Sequence, residues 1–321
     1  SLVTTGPGGT NAITGVAGSW MDSVPHLVIS GQVYLRQTIG DTGLRQLGVQ
    51  EINIIDIVKP LVKYAVMVED PRQTLYHLQK AIYLAKSGRP GPVWIDIPAD
   101  VQNARVAEED FVIFEPNGSG AQSYSTDLAS QVAEVARLLQ SAHRPLFHLG
   151  QGVRMAGALD DFMHLVEGFR IPFVTARNAN ELVAWDHDLY VGRPGTFAQR
   201  GANFAVQNAD VYIAVGTRLS LPQTGYNAKD YARNAFKIMV DIDRAELDKP
   251  TLEIDLRIHA DAGAFIEGLR AELKDTRLNI GVWREKCRDW KVRYPVILDE
   301  FKVQRGYVNS YYFIDVLSDL L

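Results

Sequence analysis

The sequence predicts an α/β protein made of two doubly wound blocks, each a parallel sheet with helices on both faces. Short, continuously apolar segments recur along the chain, for example at 25–33, 93–97 and 211–215, and such runs are typical of strands buried on both faces. Segments with helical periodicity separate them, such as 71–87, whose apolar side chains form one stripe. Strands that alternate with helices of this length form parallel sheets.

Glycine, proline and polar residues mark the ends of these blocks. The segment 88–92, Gly-Arg-Pro-Gly-Pro, ends the helix before it, because proline cannot continue a helix and glycine supplies the turn. A polar stretch at 117–125, rich in Asn, Gly and Ser, is typical of an interdomain linker. We therefore divide the chain into a first domain at 1–107, a linker at 108–125, a second domain at 126–280, and a Trp- and Arg-rich connector with the start of a further domain at 281–321.

The second domain alternates regularly between the two kinds of segment. Strands are expected at 145–149, 172–175, 211–215, 237–241 and 257–259, and helices at 126–140, 156–169, 197–207 and 262–274. We expect the strand order of a flavodoxin or Rossmann fold. The segments at 150–152, 216–218 and 241–243 should then converge at the carboxyl ends of the strands, where such sheets bind ligands.

Composition excludes several classes of function. The 321 residues carry a net charge of −5 and the basic residues are scattered singly, so no nucleic-acid partner is expected. Apolar runs stay well short of the roughly 20 residues that cross a bilayer, so no membrane span is expected. The single cysteine, Cys287, excludes an intramolecular disulfide and favours a reducing cytoplasm. The histidines lack the spacing of metal ligands, and no metal site is predicted.

Both ends of the sequence have the pattern of segments from the middle of a polypeptide chain. The first residues read as a strand that runs into a glycine turn, and residues 311–321 read as an amphipathic helix. Natural chain ends are usually polar and frayed. We therefore expect the chain to be an internal segment of a longer protein.

The segment 5–11, Thr-Gly-Pro-Gly-Gly-Thr-Asn, joins the first predicted strand to the first predicted helix. Its glycines allow positive φ and close approach of the backbone, and Pro7 stiffens the turn. Turns at this end of a parallel strand are where α/β proteins bind ligands. The segment is neither a dinucleotide fingerprint nor a Walker loop. By itself it fits a structural turn as well as a binding site.

Five further segments follow this turn in the first domain: Asp-Ser-Val-Pro at 22–25, Ser-Gly-Gln at 30–32, Val-Gln-Glu at 49–51, Lys63, and Ser-Gly-Arg-Pro-Gly-Pro-Val at 87–93. The second domain carries Gly-Arg-Pro-Gly at 192–195, Val-Gly-Thr-Arg at 215–218 and Asp-Ile-Asp at 241–243. In this order and spacing, the first set resembles the pyrimidine-binding domain of acetolactate synthase and its relatives, which use thiamine diphosphate. The second set is similar to the family's Rossmann-like central domain, and the connector resembles the opening of its diphosphate-binding domain.

The resemblance implies roles for particular residues. It places cofactor-binding residues at Gly6, Pro7, Gly8, Asn11 and Gln32, and catalytic residues at Gln50 and Lys63. Pro7 and Asn11 match positions that contact the aminopyrimidine ring, and Gln50 matches a glutamine at the substrate end of the site. Gln32 and Lys63 match residues near the active-site funnel. A satisfied strand-end amide for Gln32 and a solvated charge for Lys63 remain structural alternatives.

The implied reaction is decarboxylation of a 2-keto acid, with pyruvate as the expected substrate, and transfer of the acyl unit to an acceptor. Val49 stands where synthases that act on pyruvate usually carry phenylalanine, so the choice of substrate stays open. The implied cofactors are thiamine diphosphate and Mg²⁺, and the implied assembly is a homodimer or larger homo-oligomer. A 2-keto acid decarboxylase or oxidase relative, or a non-catalytic nucleotide- or cofactor-binding module, remains an alternative.

Two elements of the family's active site are not found in these 321 residues. One is a glutamate, N-terminal to the matched region, that tunes the pyrimidine. The other is a Gly-Asp-Gly motif ending in Asn-Asn that holds the diphosphate through Mg²⁺. The chain by itself is therefore expected to be inactive.

Some members of the family also bind FAD across the central domain. Gly150, Gly152, Arg218, Asp241 and Asp243 stand where such a ligand would lie, and an acidic residue at a strand end suits a ribose hydroxyl. However, the residues at 219–222 and 175–178 depart from the family's usual segments. We therefore prefer a structural Rossmann-like domain over FAD binding.

Overall fold

The computed structural model describes residues 1–116 and 127–321. The chain divides into two compact units, Ser1–Ser123 and Tyr124–Leu321. The polar stretch at 117–125, predicted as part of a linker, lies outside the described residues.

The first unit contains a four-stranded parallel sheet flanked by helices. Its strands are β1 (Leu2–Val3), β2 (His26–Gln32), β3 (Ala65–Met67) and β4 (Pro92–Pro98). Its helices are α1 (Pro7–Met21), α2 (Ile54–Val58), α3 (Thr74–Lys86) and α4 (Ala99–Asn103), with 3₁₀ turns at Leu35–Gln37, Lys59–Leu61, Pro71–Gln73 and Glu108–Asp110. The strand order is β1-β2-β4-β3, and every pair is parallel.

The two central strands of this sheet, β2 and β4, are covered on both faces. They pair in register along the seven residues of each strand. Trp94 of β4 is fully buried among residues of α1 and α2 on one face. Its neighbours Val93 and Ile95 pack against α3 on the other face. The first block is therefore doubly wound, as its continuous apolar runs predict.

The second unit contains a six-stranded parallel sheet. Its strands are β5 (Pro145–Leu149), β6 (Phe173–Thr175), β7 (Tyr190–Gly192), β8 (Val211–Val215), β9 (Phe236–Asp241) and β10 (Leu256–His259). Its helices are α5 (Leu128–Ser141), α6 (Gln151–Met155), α7 (Leu159–Phe169), α8 (Arg200–Asn208), α9 (Leu221–Thr224), α10 (Arg244–Asp248), α11 (Ala262–Glu272), α12 (Gly281–Arg293), α13 (Asp299–Lys302) and α14 (Ser310–Leu320), with 3₁₀ turns at Arg177–Leu182 and Ala228–Asp230.

The strand order β10-β9-β8-β5-β6-β7 confirms the predicted Rossmann-type sheet. The chain runs outward from β5 to β7, returns to the other side of β5, and runs outward again from β8 to β10. The order thus reverses between β5 and β8, whose carboxyl ends form the topological switch point. The segments at 150–152 and 216–218 directly follow β5 and β8, and 241–243 begins at the last residue of β9. These strands are neighbours, so the three segments converge at one edge as predicted.

Helix α12 lies in the segment that the sequence analysis treats as a connector. It packs against α8 in the second unit and buries Trp283 and Cys287, four residues apart on one helix face. The indole Nε1 of Trp283 donates a hydrogen bond to the carbonyl of Pro145, the first residue of β5, at 2.9 Å. This helix therefore belongs to the core of the second unit, a feature that sequence analysis missed.

The last helix, α14, begins behind a capping residue, Asn309. The side-chain oxygen of Asn309 accepts hydrogen bonds from the backbone N–H groups of Tyr311, at 3.0 Å, and Tyr312, at 3.2 Å. Across residues 1–116 and 127–321, no helix is both long and apolar enough to cross a membrane.

Candidate functional site

The turn after β1 has a conformation that favours glycine. Gly6 has a φ of 59°, and a Cβ placed there would lie 2.0 Å from the backbone carbonyl oxygen of Gln50. Gln50 itself has a φ of 60°, a left-handed backbone conformation that residues other than glycine rarely adopt. The turn and the Gln50 segment therefore meet backbone against backbone, and only glycine at position 6 allows this approach.

Three of the predicted site residues are exposed at this edge of the first sheet. Pro7 occupies the first position of α1, where its missing N–H costs no helical hydrogen bond, and its side chain is exposed. Asn11 lies about one turn further along α1 and is also exposed, as is Gln50. Gly8 packs closely on Thr4, because a Cβ there would lie 2.6 Å from Thr4 Cγ2. Pro7, Asn11 and Gln50 are thus accessible to a ligand at the carboxyl edge.

Gln32 is the last residue of β2 and lies close to this turn. Its side-chain amide makes four hydrogen bonds within the chain. The Oε1 atom accepts hydrogen bonds from the hydroxyl of Thr5, at 2.7 Å, and from the N–H of Val33, at 3.0 Å. The Nε2 atom donates to the carbonyl of Ile52, at 3.1 Å, and to Asp96 Oδ2, at 3.0 Å. A glutamine amide has two donors and two acceptor positions. A ligand contact by Gln32 would therefore have to replace one of these bonds.

Asp96 is a buried acid that sequence analysis did not single out. Its Oδ1 accepts a hydrogen bond from the Ser30 hydroxyl at 2.5 Å, and Ser30 Oγ in turn accepts one from Trp94 Nε1 at 2.8 Å. Burial raises the pKa of Asp96 to about 6; the hydrogen bonds from Ser30 and Gln32 oppose this rise, and the charge of Glu51 adds to it. A signal was available, since Asp96 interrupts the apolar run of β4 and a buried acid needs partners.

The structure places Lys63 away from this edge. Lys63 precedes β3, and its backbone N–H donates to the carbonyl of Pro92, the first residue of β4, at 2.8 Å. Its ammonium donates to the carbonyls of Ser87, at 2.6 Å, and Arg89, at 2.8 Å. These contacts lie at the amino ends of the strands, roughly 20 Å from the carboxyl edge by the length of β4. Lys63 therefore closes the turn after α3, and its catalytic role stays a prediction.

The predicted glycines of the second unit pack against one another at the switch point. A Cβ on Gly150 would lie 2.0 Å from the carbonyl oxygen of Gly216, and one on Gly152 would lie 2.7 Å from Gly216 Cα. The N–H of Gly150 donates to the carbonyl of Val215, and the N–H of Gly152 donates to that of Gly216, both at 2.9 Å. Two of the backbone donors at this edge, the N–H groups of Gly150 and Gly152, are thus engaged by the neighbouring strand end.

The predicted acidic residues at the end of β9 bind the backbone of their own turn. The buried carboxylate of Asp241 accepts from the N–H of Asp243 at 2.9 Å. Asp243 accepts from the N–H of Ala245 at 2.9 Å and caps α10. The carbonyl of Arg218 accepts a hydrogen bond from the ammonium of Lys249. These contacts fit a Rossmann-like domain that holds its own loops in place.

A buried histidine near the switch point was also missed by sequence analysis. His148 of β5 is fully buried, and its Nδ1 is hydrogen-bonded to the hydroxyl of Tyr212, which lies 2.7 Å from the hydroxyl of Tyr231. Its Nε2 lies 3.3 Å from Nε2 of Gln223. Burial lowers the pKa of His148 to about 3, so the ring is neutral near pH 7. It acts as a hydrogen-bonding member of the core.

Two family descriptions match the chain. "Thiamine pyrophosphate enzyme, N-terminal TPP binding domain" matches residues 1–57, which include the Gly6 turn and Gln50. "Thiamine pyrophosphate enzyme, central domain" matches residues 132–269, which include the six-stranded sheet. The chain therefore belongs to the thiamine pyrophosphate enzymes, as the sequence resemblance predicts.

Within that family the chain is similar to acetolactate synthases. It is 33% identical over 303 residues to the acetolactate synthase large subunit of Porphyra purpurea, covering 92% of this chain and 50% of the relative. It is 35% identical over 305 residues to that of Corynebacterium glutamicum, covering 93% and 47%, respectively. The acetolactate synthase of Arthrospira platensis is 38% identical over 254 residues, covering 77% and 42%. The chain spans about half the length of these curated relatives.

Proposed function

We propose that this chain is part of an enzyme that decarboxylates a 2-keto acid, with pyruvate as the first candidate, and transfers the acyl unit to an acceptor. The observation that carries the proposal is the carboxyl edge of the first sheet. There the Gly6 turn is held against Gln50, and Pro7, Asn11 and Gln50 are exposed together. The names of the acetolactate synthase relatives supply the reaction type.

The residues at this edge fit the pyrimidine end of thiamine diphosphate. An aminopyrimidine is a flat ring with polar atoms on its rim, and the edge offers the apolar ring of Pro7 beside the amide of Asn11. We assign Pro7 and Asn11 to holding the ring and Gln50 to orienting the substrate. When bound, the cofactor's thiazolium would supply the electron sink for the electron pair that is left on the substrate when CO₂ departs. Gly6 and the buried network around Gln32 keep these side chains in place.

The diphosphate end of the cofactor requires groups from elsewhere. Mg²⁺ prefers carboxylate and other oxygen ligands. Within the described part of the chain, no group of three or more His, Cys, Asp or Glu side chains could hold a metal ion. We propose that the family's diphosphate-binding domain, contributed by the second subunit of a homodimer, holds Mg²⁺ and the diphosphate. The exposed Trp20 and Met21 suit a subunit contact on this unit, but they lie at the end of α1 opposite to Pro7, away from the carboxyl edge.

The test uses the complete protein that carries this chain, with Asn11→Ala and, as a matched control, Asn279→Ala. Asn279 is also exposed but belongs to the second unit. Losing one or two hydrogen bonds to the pyrimidine should weaken thiamine diphosphate binding by roughly tenfold in Asn11→Ala. Titration calorimetry with Mg²⁺ and a pyruvate-consumption assay measure this, and Asn279→Ala should match the wild type.

Three outcomes would count against the proposal. A complete protein that binds no thiamine diphosphate would favour a non-catalytic module. Equal affinities of the two variants for thiamine diphosphate would show that the cofactor does not bind at this edge. A protein that binds thiamine diphosphate but turns over another 2-keto acid instead of pyruvate would show that pyruvate is not the substrate. That result would favour a decarboxylase or oxidase relative.

A further inference from the structure

A chain of hydrogen bonds runs from the core of the first sheet to the turn at its carboxyl edge. It begins at Trp94 Nε1, which donates to Ser30 Oγ, and continues from the Ser30 hydroxyl to Asp96 Oδ1. From Asp96 Oδ2 it passes through Nε2 and Oε1 of Gln32 to the hydroxyl of Thr5. Ser30, Gln32 and Asp96 are each 6% exposed or less, so water cannot substitute for these bonds.

Gln32 holds both sides of the contact between the turn and the Gln50 segment. On one side its Oε1 accepts from Thr5, the residue before Gly6. On the other side its Nε2 donates to the carbonyl of Ile52, two residues after Gln50. Because Gly6 and Gln50 meet backbone against backbone, any rotation of the Gln32 amide would loosen both sides of that contact together.

The carboxylate of Asp96 sets the orientation of that amide. An ionised carboxylate only accepts hydrogen bonds, so it binds the NH₂ end of Gln32 and directs the oxygen toward Thr5 and the N–H of Val33. An asparagine at position 96 would place an NH₂ group against either Ser30 or Gln32. With Gln32 turned to accept it, the N–H of Val33 and the hydroxyl of Thr5 would lose their acceptor.

Burial raises the pKa of Asp96, and among the described residues Glu51 is the charged group whose repulsion raises that pKa further. The Glu51 carboxylate is buried and accepts hydrogen bonds from the backbone N–H groups of Ile39, at 3.1 Å, and Leu47, at 3.4 Å. Glu51 therefore holds the loop that leads to Gln50, while Asp96 acts through Gln32. The two buried acids support the same segment from two directions.

The geometry points to Asp96 as a positioning residue for the cofactor site: through Gln32 it fixes Thr5 and Ile52, and hence the relative placement of Pro7 and Gln50. This role rests on the proposed function, because it concerns the same site. Asp96 touches neither cofactor nor substrate. Its effect is transmitted by one amide, so the effects of changing Asp96 and of changing Gln32 should not add.

The experiment is a double-variant cycle in the complete protein, with Asp96→Asn, Gln32→Met and the two combined. Asp100→Asn is the matched control, because Asp100 is a half-buried aspartate just after β4 that accepts a hydrogen bond from the backbone N–H of Leu35, at 3.2 Å, and has no bond to Gln32 among its described contacts. Each single variant should weaken thiamine diphosphate binding by roughly tenfold. The double variant should lose no more affinity for thiamine diphosphate than the single variant that binds it less tightly. Asp100→Asn should lose little affinity.

A second readout needs no cofactor and separates this inference from the proposed function. Amide hydrogen exchange of the peptides that contain 5–11 and 48–52 should quicken in Asp96→Asn and Gln32→Met to the same degree, but not in Asp100→Asn. If Asp96→Asn fails to fold, Gln32→Met still reports on the two segments. Unchanged exchange in the folded variants, or additive losses, would overturn the positioning role. If exchange quickens as expected in these variants but the complete protein binds no thiamine diphosphate, the positioning role stands and the proposed function is overturned.

Discussion

The carboxyl edges of the two parallel sheets are built from similar parts but use them differently. In the first unit, Gly6 lets the turn approach Gln50, and exposed side chains surround the contact. In the second unit, Gly150, Gly152 and Gly216 pack on one another, and their N–H groups bind the neighbouring strand end. The first edge therefore leaves side chains accessible to a ligand, whereas the second uses its groups to hold its own loops. Equivalent positions in a fold do not imply equivalent function.

The largest expected effects come from adding a methyl group at each edge. Gly6→Ala and Gly150→Ala would each place a Cβ 2.0 Å from a backbone oxygen, and Gly6→Ala also forces a residue other than glycine to a φ near 59°. Each should destabilise its unit by roughly 3 kcal/mol or more. Only Gly6→Ala should abolish thiamine diphosphate binding, whereas Gly150→Ala should leave the affinity within about twofold wherever its unit stays folded.

Gly15→Ala is the control for that pair. Gly15 lies within α1 with no atom within 4 Å of a Cβ placed there, so alanine should stabilise the helix by about 0.5–1 kcal/mol. Thermal unfolding followed by peptide-resolved hydrogen exchange assigns each loss to its unit. Equal loss of cofactor binding in Gly6→Ala and Gly150→Ala would break the distinction between the two edges.

Asp96 and His148, both buried, should give the two units opposite pH dependence. The pKa of Asp96 is raised from 3.8 to about 6, so its contribution to stability is present below pH 3.8 and is lost as pH rises through 6. That loss amounts to about 3 kcal/mol. The pKa of His148 is lowered from 6.5 to about 3, so its contribution is present above pH 6.5 and falls as pH falls. Between pH 6.5 and 5 the fall is about 2 kcal/mol.

Urea unfolding between pH 4 and 7.5, resolved by unit with hydrogen exchange, measures these slopes. Asp96→Asn should flatten the decline of the first unit between pH 4 and 6. His148→Gln should flatten the decline of the second unit below pH 6.5. Slopes of the same sign in both units, or slopes unchanged by the substitutions, would show that other groups control the pH dependence.

The sequence predicted most strands closely, including the short β6 and β10, but it missed β3 and β7. β5 and β8 have the predicted bounds, because apolar runs bounded by polar residues or proline define buried strands. β3 and β7 have only three residues each, too few to show a period. α12 was missed because its buried face consists of Trp283 and Cys287, with Trp290 partly buried, among many charged residues. Those three positions have the i, i+4, i+7 spacing that would have revealed a helix.

The turn that carries the candidate site was predicted from local residue types, whereas the tertiary contacts around it were not. Glycine spacing and Pro7 identified the turn, because those residue types constrain φ locally. Lys63 was assigned by resemblance, and no local pattern could show that it lies at the opposite end of β4. Asp96 and His148 each interrupt an apolar strand, a visible signal of a buried polar group, but their partners lie more than 60 residues away in sequence.

The central claim, that the cofactor binds at the edge of the first sheet, is tested most directly by mapping where binding protects the backbone. The complete protein is exchanged in D₂O with and without thiamine diphosphate and Mg²⁺, and protection is read peptide by peptide. Slower exchange is expected in the peptides that contain 5–11 and 48–52, with little change at 150–152 and 216–218. Protection confined to the second unit's edge, with none at 5–11, would contradict the assignment.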